Sequence, residues 1–171
     1  MRGHIKQRSK GSWTIILNLG RDPATGKRKQ QWVTIRGTKK EAETKLSELQ
    51  HQLDTGGYIK PDKVTLGQFL ERWLADYAVP ILSPETTQAY EFMARKHLIP
   101  GLGFIPLQQL TPAHIQAYYT EKLTTGRRDG QGGLSPRTVR HHHRLLHVLL
   151  ESAVKWQLVQ RNVSDSVDAP K

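Results

Sequence analysis

"GSWTIILNLGRDPATGKRKQQWVTIRG", residues 11–37, holds two runs of β-forming residues, Trp13 to Leu19 and Gln31 to Arg36, on either side of the turn-rich Asp22-Pro23-Ala24-Thr25-Gly26. The pattern predicts a hairpin. His4 to Arg8 supplies a third, shorter strand, turned into the hairpin by Lys10-Gly11. Side chains alternate faces along a strand, so Ile5, Trp13, Ile15, Leu17, Val33 and Ile35 share one face. The other face then carries Lys6, Arg8, Thr14, Asn18, Gln30, Trp32, Thr34 and Arg36. That set is rich in hydrogen-bond donors. Trp32 on such a face reads equally well as packing on a Lys or Arg stem or as a contact to a base or sugar.

An apolar sheet face needs a cover. Thr38-Lys39-Lys40-Glu41 is a capping box, and it opens a helix with Ala42, Leu46, Leu49 and Leu53 at helical spacing, ended by Gly56-Gly57. The free face of the sheet is left to meet a partner, and a β-sheet or ribbon can enter the major groove of DNA.

Charge separates this part of the chain from the rest. Residues 1–40 hold 11 Lys/Arg against one acid, Asp22, whereas residues 41–171 hold 15 against 14. Nearly all of the formal +11 therefore sits in the first quarter of the chain. A basic block with interleaved apolar residues fits a polyanion, whose condensed counterions Lys and Arg replace.

Beyond Lys60-Pro61-Asp62 the strand pattern stops, and four helical segments follow. Thr65 begins a Thr-x-x-Gln capping box ahead of Leu66, Phe69, Leu70, Trp73, Leu74 and Tyr77 on one stripe. Ser83-Pro84, Thr111-Pro112 and Ser135-Pro136 each combine a cap residue with proline in the first helical position. The second helix turns Thr87, Tyr90, Ala94 and Leu98 inward, and the third turns Ile115, Tyr118 and Leu123 inward. Between the third and fourth, "TTGRRDGQGG" is a polar loop whose Arg127 and Arg128 suit either a phosphate or plain solvation.

The last helix contains three consecutive histidines. They lie inside a regular apolar pattern, unlike a purification tag. At 100° per residue Val139, His142, Leu146, Leu149, Leu150 and Ala153 share one face, while Arg137, Arg140, His141 and Arg144 gather opposite. His143 and His147 are spaced for zinc with Glu151 in the same row, but zinc takes three or four converging ligands with a supporting shell, so no metal or other cofactor is expected. The arginines at a helix N-terminus fit phosphate and guanine better.

Taken in order, "TKKEAE", "TLGQFLERWLADY", "SPETTQAY", "HLIPGLGFIPLQQLTPAHIQAYY" and "LSPRTVRHHHRLLHVLLESAVKW" resemble the N-terminal half of phage and transposon integrases of the tyrosine recombinase family. The resemblance implies an α+β chain: a three-stranded antiparallel sheet packed on one helix over residues 1–56, a linker over 57–64, and a four-helix SAM-like core-binding domain over 65–165. Residues 166–171 would begin a linker into a catalytic domain that the chain lacks. On that basis Lys6, Arg8, Thr14, Asn18, Trp32, Thr34 and Arg36 are expected to contact arm-type DNA. Thr86, Gln88, Arg95, Lys96, Arg137, Arg140, His141 and Arg144 are expected at the core-type site.

No catalytic residue is assigned: none of Tyr58, Tyr77, Tyr90, Tyr118 and Tyr119 has a setting resembling the family's nucleophile. The expected partners are double-stranded DNA and other recombinase subunits on it, in the bacterial cytoplasm at the nucleoid, with no membrane. Other readings of the residues are a stand-alone regulator or decoy of recombination, a metal-dependent nuclease at His143, His147 and Glu151, and an RNA binder using its exposed tryptophan.

Overall fold

The computed structural model describes residues 3–22, 24–127 and 129–171 and divides the chain into two compact units, Met1–Tyr58 and Ile59–Lys171. The first unit is a sheet of β1 (Gly3–Ser9), β2 (Ser12–Arg21) and β3 (Arg28–Arg36), antiparallel in the order β1-β2-β3, with α1 (Lys39–Asp54) packed on it. Asp22 shapes the β2–β3 turn, its carboxylate accepting from the backbone N–H groups of Ala24 and Thr25. The register puts Ile5, Ile15 and Val33 in one row, and Ile15 and Leu17 are fully buried against Leu49. Thr38 and Glu41 form the reciprocal capping box that starts α1.

The second unit is helical: α2 (Leu66–Trp73), α3 (Val79–Ile81), α4 (Pro84–Met93), α5 (Ile99–Leu102), α6 (Pro112–Thr125) and α7 (Pro136–Lys155). Thr65, Ser83, Thr111 and Ser135 each accept from the backbone N–H three residues on, so the cap residues start four of these helices. Two π-helical turns, Leu74–Ala78 and Ala94–Leu98, join α2 to α3 and α4 to α5 without a break in the coil. Each stands immediately before an apolar-Pro pair, Val79-Pro80 and Ile99-Pro100. A proline ring clashes with the carbonyl four residues back, and widening the preceding turn removes the clash while the chain stays helical.

The helical core centres on Trp73, Phe69, Leu98, Ile115, Leu146 and Tyr119, all nearly or fully inaccessible. Trp73 donates its indole N–H to Ser152 Oγ at 2.9 Å, and Ser152 donates its own O–H to Val148 O, so a polar atom inside the core is satisfied. Gly67 lies against the backbone of Gly103, where an added Cβ would sit 3.1 Å from a carbonyl oxygen. Gln108 ties entry to exit: its amide donates to Lys60 O and Leu158 O, and its oxygen accepts from Asp62 N.

Two segments expected to be linkers are engaged by their nearer unit. Tyr58 packs on the sheet unit's core, whereas Asp62 and Val64 belong to the helical unit through Gln108 and the apolar core. In the expected tail, Val167 is buried and Pro170 O accepts from Arg140 Nε at 3.1 Å. Apolar residues at 64 and 167 find a core to enter, and a composition-based boundary does not register that.

Candidate nucleic-acid interface

In the sheet unit, the face away from Ile15 and Leu17 is laid out by cross-strand rows. Asn18 stands opposite Gln30; His4, Ile16 and Trp32 form the next row; Lys6, Thr14 and Thr34 follow; Ser9, Ser12 and Arg36 end it. Gln30 donates to Asn18 Oδ1 at 2.8 Å, which orients both amides. Trp32 is 61% exposed, an unusual state for the largest apolar side chain, and it stands beside Ile16.

Two expected contacts on this face sit differently from the simple alternation. Thr14 is only 4% exposed, overlaid from both sides on the central strand, and its hydroxyl has no partner among the described residues. Arg8 is the residue skipped between the pairs Gln7–Trp13 and Ser9–Ser12, so it occupies a bulge out of register with the rows. Lys6, Trp32, Thr34 and Arg36 are exposed as the alternation requires, and Asn18 is half-buried.

In the helical unit, α7 divides as its periodicity requires. Val139, His142, Leu146, Leu149, Leu150 and Ala153 are buried, and Arg137, Arg140, His141 and Arg144 are exposed. Arg140 spends its Nε on Pro170 O, which leaves the terminal nitrogens of its fork to other acceptors.

In the α4 group, two of the four expected contacts are engaged by neighbouring side chains. Arg95 reaches Glu71 on α2, with Nε–Oε1 at 3.3 Å and Nη2–Oε2 at 3.2 Å, and it approaches Glu91 at 4.0 Å. The Glu71 hydrogen bond and charge, with Glu91 behind them, raise its pKa further. His97, two residues on, instead contacts α7, its ring centroid 4.9 Å from that of His142. Thr86 is drawn into the cap of α4, where its hydroxyl accepts from Ser83. Gln88 shares a shallow depression with Glu85 and Glu91, and Lys96 is exposed.

The three histidines have three environments. His141 is open to solvent. His142 is buried with Nδ1 2.9 Å from the Tyr118 hydroxyl, and burial, then His97, Lys122 and His141, push its pKa down to about 4. His143 meets the Tyr119 hydroxyl at 2.8 Å; burial and His147 lower its pKa, against an opposing pull from Asp165. Among the described residues, the one group able to bring three metal-ligand atoms together is His147, Glu151 and Asp165, and it excludes His143. His147 Nε2 meets Asp165 at 3.1 Å, and Asn162 donates to both Glu151 and His147 O, so the group clamps the turn Val163–Ser166 onto α7.

The tyrosines are structural. Tyr77 stacks on Trp73 at 5.2 Å between centroids and Tyr90 tilts against the same ring. Burial raises the phenol pKa of Tyr58, Tyr118 and Tyr119, which holds their protons in place. Tyr119 was legible only as a neighbour of Tyr118, yet both are buried, because α6 meets core on two sides. In the polar loop Arg127 pairs with Asp129 at 2.7 Å, and Arg128 lies outside the described residues.

A family model described as "Phage integrase, N-terminal SAM-like domain" matches residues 65–123. A phage integrase SAM-like domain from Moorella thermoacetica, solved by NMR, is 41% identical, covering 67% of this chain and 92% of that one with a TM-score of 0.54. The chain belongs to the phage integrase family. An integrase of Streptomyces ambofaciens is 30% identical over 93% of this chain and 38% of its own length, so our integrase chain spans less than half of that relative. Lambda integrase, solved as a dimer bound to a COC′ core site, is 18% identical over 98% of this chain and 45% of its own; the TM-score of 0.52 makes this a likeness of fold.

Proposed function

We propose that this integrase chain is the DNA-holding part of a site-specific tyrosine recombinase, with the sheet unit on arm-type sites and the helical unit on core-type sites. The observation that carries the reading is the second face of the sheet. It belongs to the strongly basic first forty residues, and it presents an exposed tryptophan and an oriented Asn18–Gln30 amide pair alongside Lys6 and Arg36. Phosphate contacts by the cations would set affinity and position, and the amides, Thr34 and Trp32 would read groove edges.

On the helical unit, Arg137, Arg140, His141 and Arg144 form the surface for a core site, with Lys96 as an outlying cation. Thr86 and Arg95 contribute through the framework of α4 more than through contact. The lambda integrase structures of the same fold, bound to a core site and to a Holliday junction, support this assignment. Strand exchange belongs to the parent recombinase, acting in the bacterial cytoplasm, with other recombinase subunits as partners. Two DNA-binding units on one chain raise each other's effective concentration when both sites lie on one molecule.

Footprinting of genomic fragments retained at moderate salt tests the reading. Two separated protected sites are expected, one lost on deleting residues 1–56 and the other on replacing Arg137, Arg140 and Arg144 by Ala. Uniform, salt-labile binding without footprints would refute it.

A further inference from the structure

The distal end of the sheet carries an arrangement that the strand pattern alone places incorrectly. Strict alternation along β2 sends Leu17, Leu19 and Arg21 to the side of α1. The register breaks before that point: Asn18 pairs with Gln30, but the next pair is Arg21 with Arg28, so β2 uses three steps where β3 uses two. Gly20, at φ +91°, supplies the backbone conformation for the extra residue. Arg21 is thereby moved onto the face of Asn18, Gln30 and Trp32, directly opposite Arg28.

Like charges directly opposite each other on antiparallel strands are destabilising. Lys27 and Lys29 flank the pair in sequence, and both arginines are exposed. The acid available nearby, Asp22, holds the turn through Ala24 and Thr25, and the cation acting on its charge is Lys29. Among the described residues neither Arg21 nor Arg28 forms an ion pair. A bulge that places two guanidinium groups side by side without a carboxylate is suited to an anion brought from outside. Two forks can enclose the oxygens of a phosphate.

The position of the pair identifies the anion. Arg28 and Arg36 are eight residues apart on one strand, roughly 26 Å at the rise of an extended chain. Between these cationic ends lie Gln30, Trp32 and Thr34, all uncharged. A face with cations at its ends and neutral donors and an aromatic between them matches a polymer held by its backbone at separated points.

We propose that Arg21 and Arg28 are a phosphate clamp for the DNA backbone at the hairpin end of the sheet; the proposal rests on the reading of this face as a DNA surface. The test uses the full 171-residue chain, a short mixed-sequence DNA duplex and the footprinted fragment, titrated over a range of salt. Arg21→Ala and Arg28→Ala should each flatten the slope of log affinity against log salt by about 0.9 and weaken both DNAs by the same factor. Arg28→Glu should increase hydrogen-exchange protection of the β2 and β3 amides, by replacing a repulsive pair with an attractive one, while lowering DNA affinity more than about tenfold, since it adds a repulsion to the lost contact. Unchanged slopes in the Arg21 and Arg28 variants, with Lys6→Ala and Arg36→Ala still flattening theirs, would overturn the clamp and leave the DNA surface standing. Unchanged binding in all four alanine variants would overturn both.

Discussion

The two units handle positive charge in opposite ways. In the helical unit the cations of the framework have acids beside them: Arg72 with Asp76, Arg95 with Glu71, Lys122 with Glu121 and Arg127 with Asp129. In the sheet unit such pairs are on α1, Lys39 with Glu43 and Lys45 with Glu48, and among the described residues no strand cation has one. Paired exposed cations contribute little to a long-range field, whereas unpaired ones on a sheet face attract a polyanion. The α7 arginines are the exception inside the helical unit, and the near-zero net charge of residues 41–171 conceals them.

The cores differ as much as the charges do. The sheet unit buries Ile15, Leu17, Ala42 and Leu49, while the helical unit closes around Trp73, Phe69, Tyr119 and many aliphatic side chains. Removing Trp73 should have the largest effect on stability. Trp73→Ala empties a fully buried site and removes the donor to Ser152 Oγ, and the helical unit should lose about 3–5 kcal/mol in denaturant titrations. Hydrogen exchange of the β2 amides should be unaltered. A parallel loss of protection there would break the division into two cores.

The pH response should separate the units next. His142 is buried with His97, Lys122 and His141 around it, and no carboxylate is among the groups acting on it. A folded pKa near 4 against an ordinary 6.5 means that the unfolded chain takes up the proton first as pH falls. Its contribution is complete above pH 6.5 and is lost between there and pH 4, about 3 kcal/mol in all. Helical-unit stability measured from pH 7 to 4 should fall along that limb, and His142→Gln should flatten it. Hydrogen exchange of the β2 amides, corrected for intrinsic rates over the same range, is the reference against which the helical unit's loss should stand out.

Much of this architecture was legible because local chemistry fixed it. The Thr38 and Thr65 capping boxes, the Ser/Thr-Pro helix starts and the apolar face of α7 each depend on residues a few positions apart, and all occur in the structure. The candidate surface was less legible because its details depend on distant partners. Glu71 claims Arg95 from 24 residues away, and Pro170 O claims Arg140 from 30. Thr14 is overlaid by neighbours on two other strands, and one extra residue at Gly20 moves Arg21 to the opposite face. The prolines at 80 and 100 were visible signals of altered helix geometry. Register, however, is a property of pairs, and one strand's alternation cannot reveal a bulge.

Equal local changes should therefore have unequal consequences. Thr38→Ala and Thr65→Ala each remove one capping hydroxyl, for about 1 kcal/mol. The first acts on a unit with few fully buried side chains, the second on the large helical core. Thermal melts should show the greater midpoint shift for Thr38→Ala in the sheet unit. Equal shifts would mean that the difference in core size does not translate into a difference in stability.

The smallest effect addresses a paired cation among the residues expected at the core-type site. Arg95 faces a choice between Glu71 and a phosphate, and in the free chain it has two hydrogen bonds to the carboxylate. Exposed pairs of this kind contribute about 0–1 kcal/mol, so little stability is at stake in Glu71→Gln. The electrostatic change is larger in kind than in size: a negative charge disappears and a guanidinium becomes available. If Arg95 serves the DNA surface, affinity for core-type DNA should rise up to about threefold and the salt slope should steepen by about 0.9. An unchanged slope would show that Arg95 remains a brace between α2 and α4 even when freed. That result would place the helical unit's DNA surface on α7, leaving the unpaired cations as the working ones in both units.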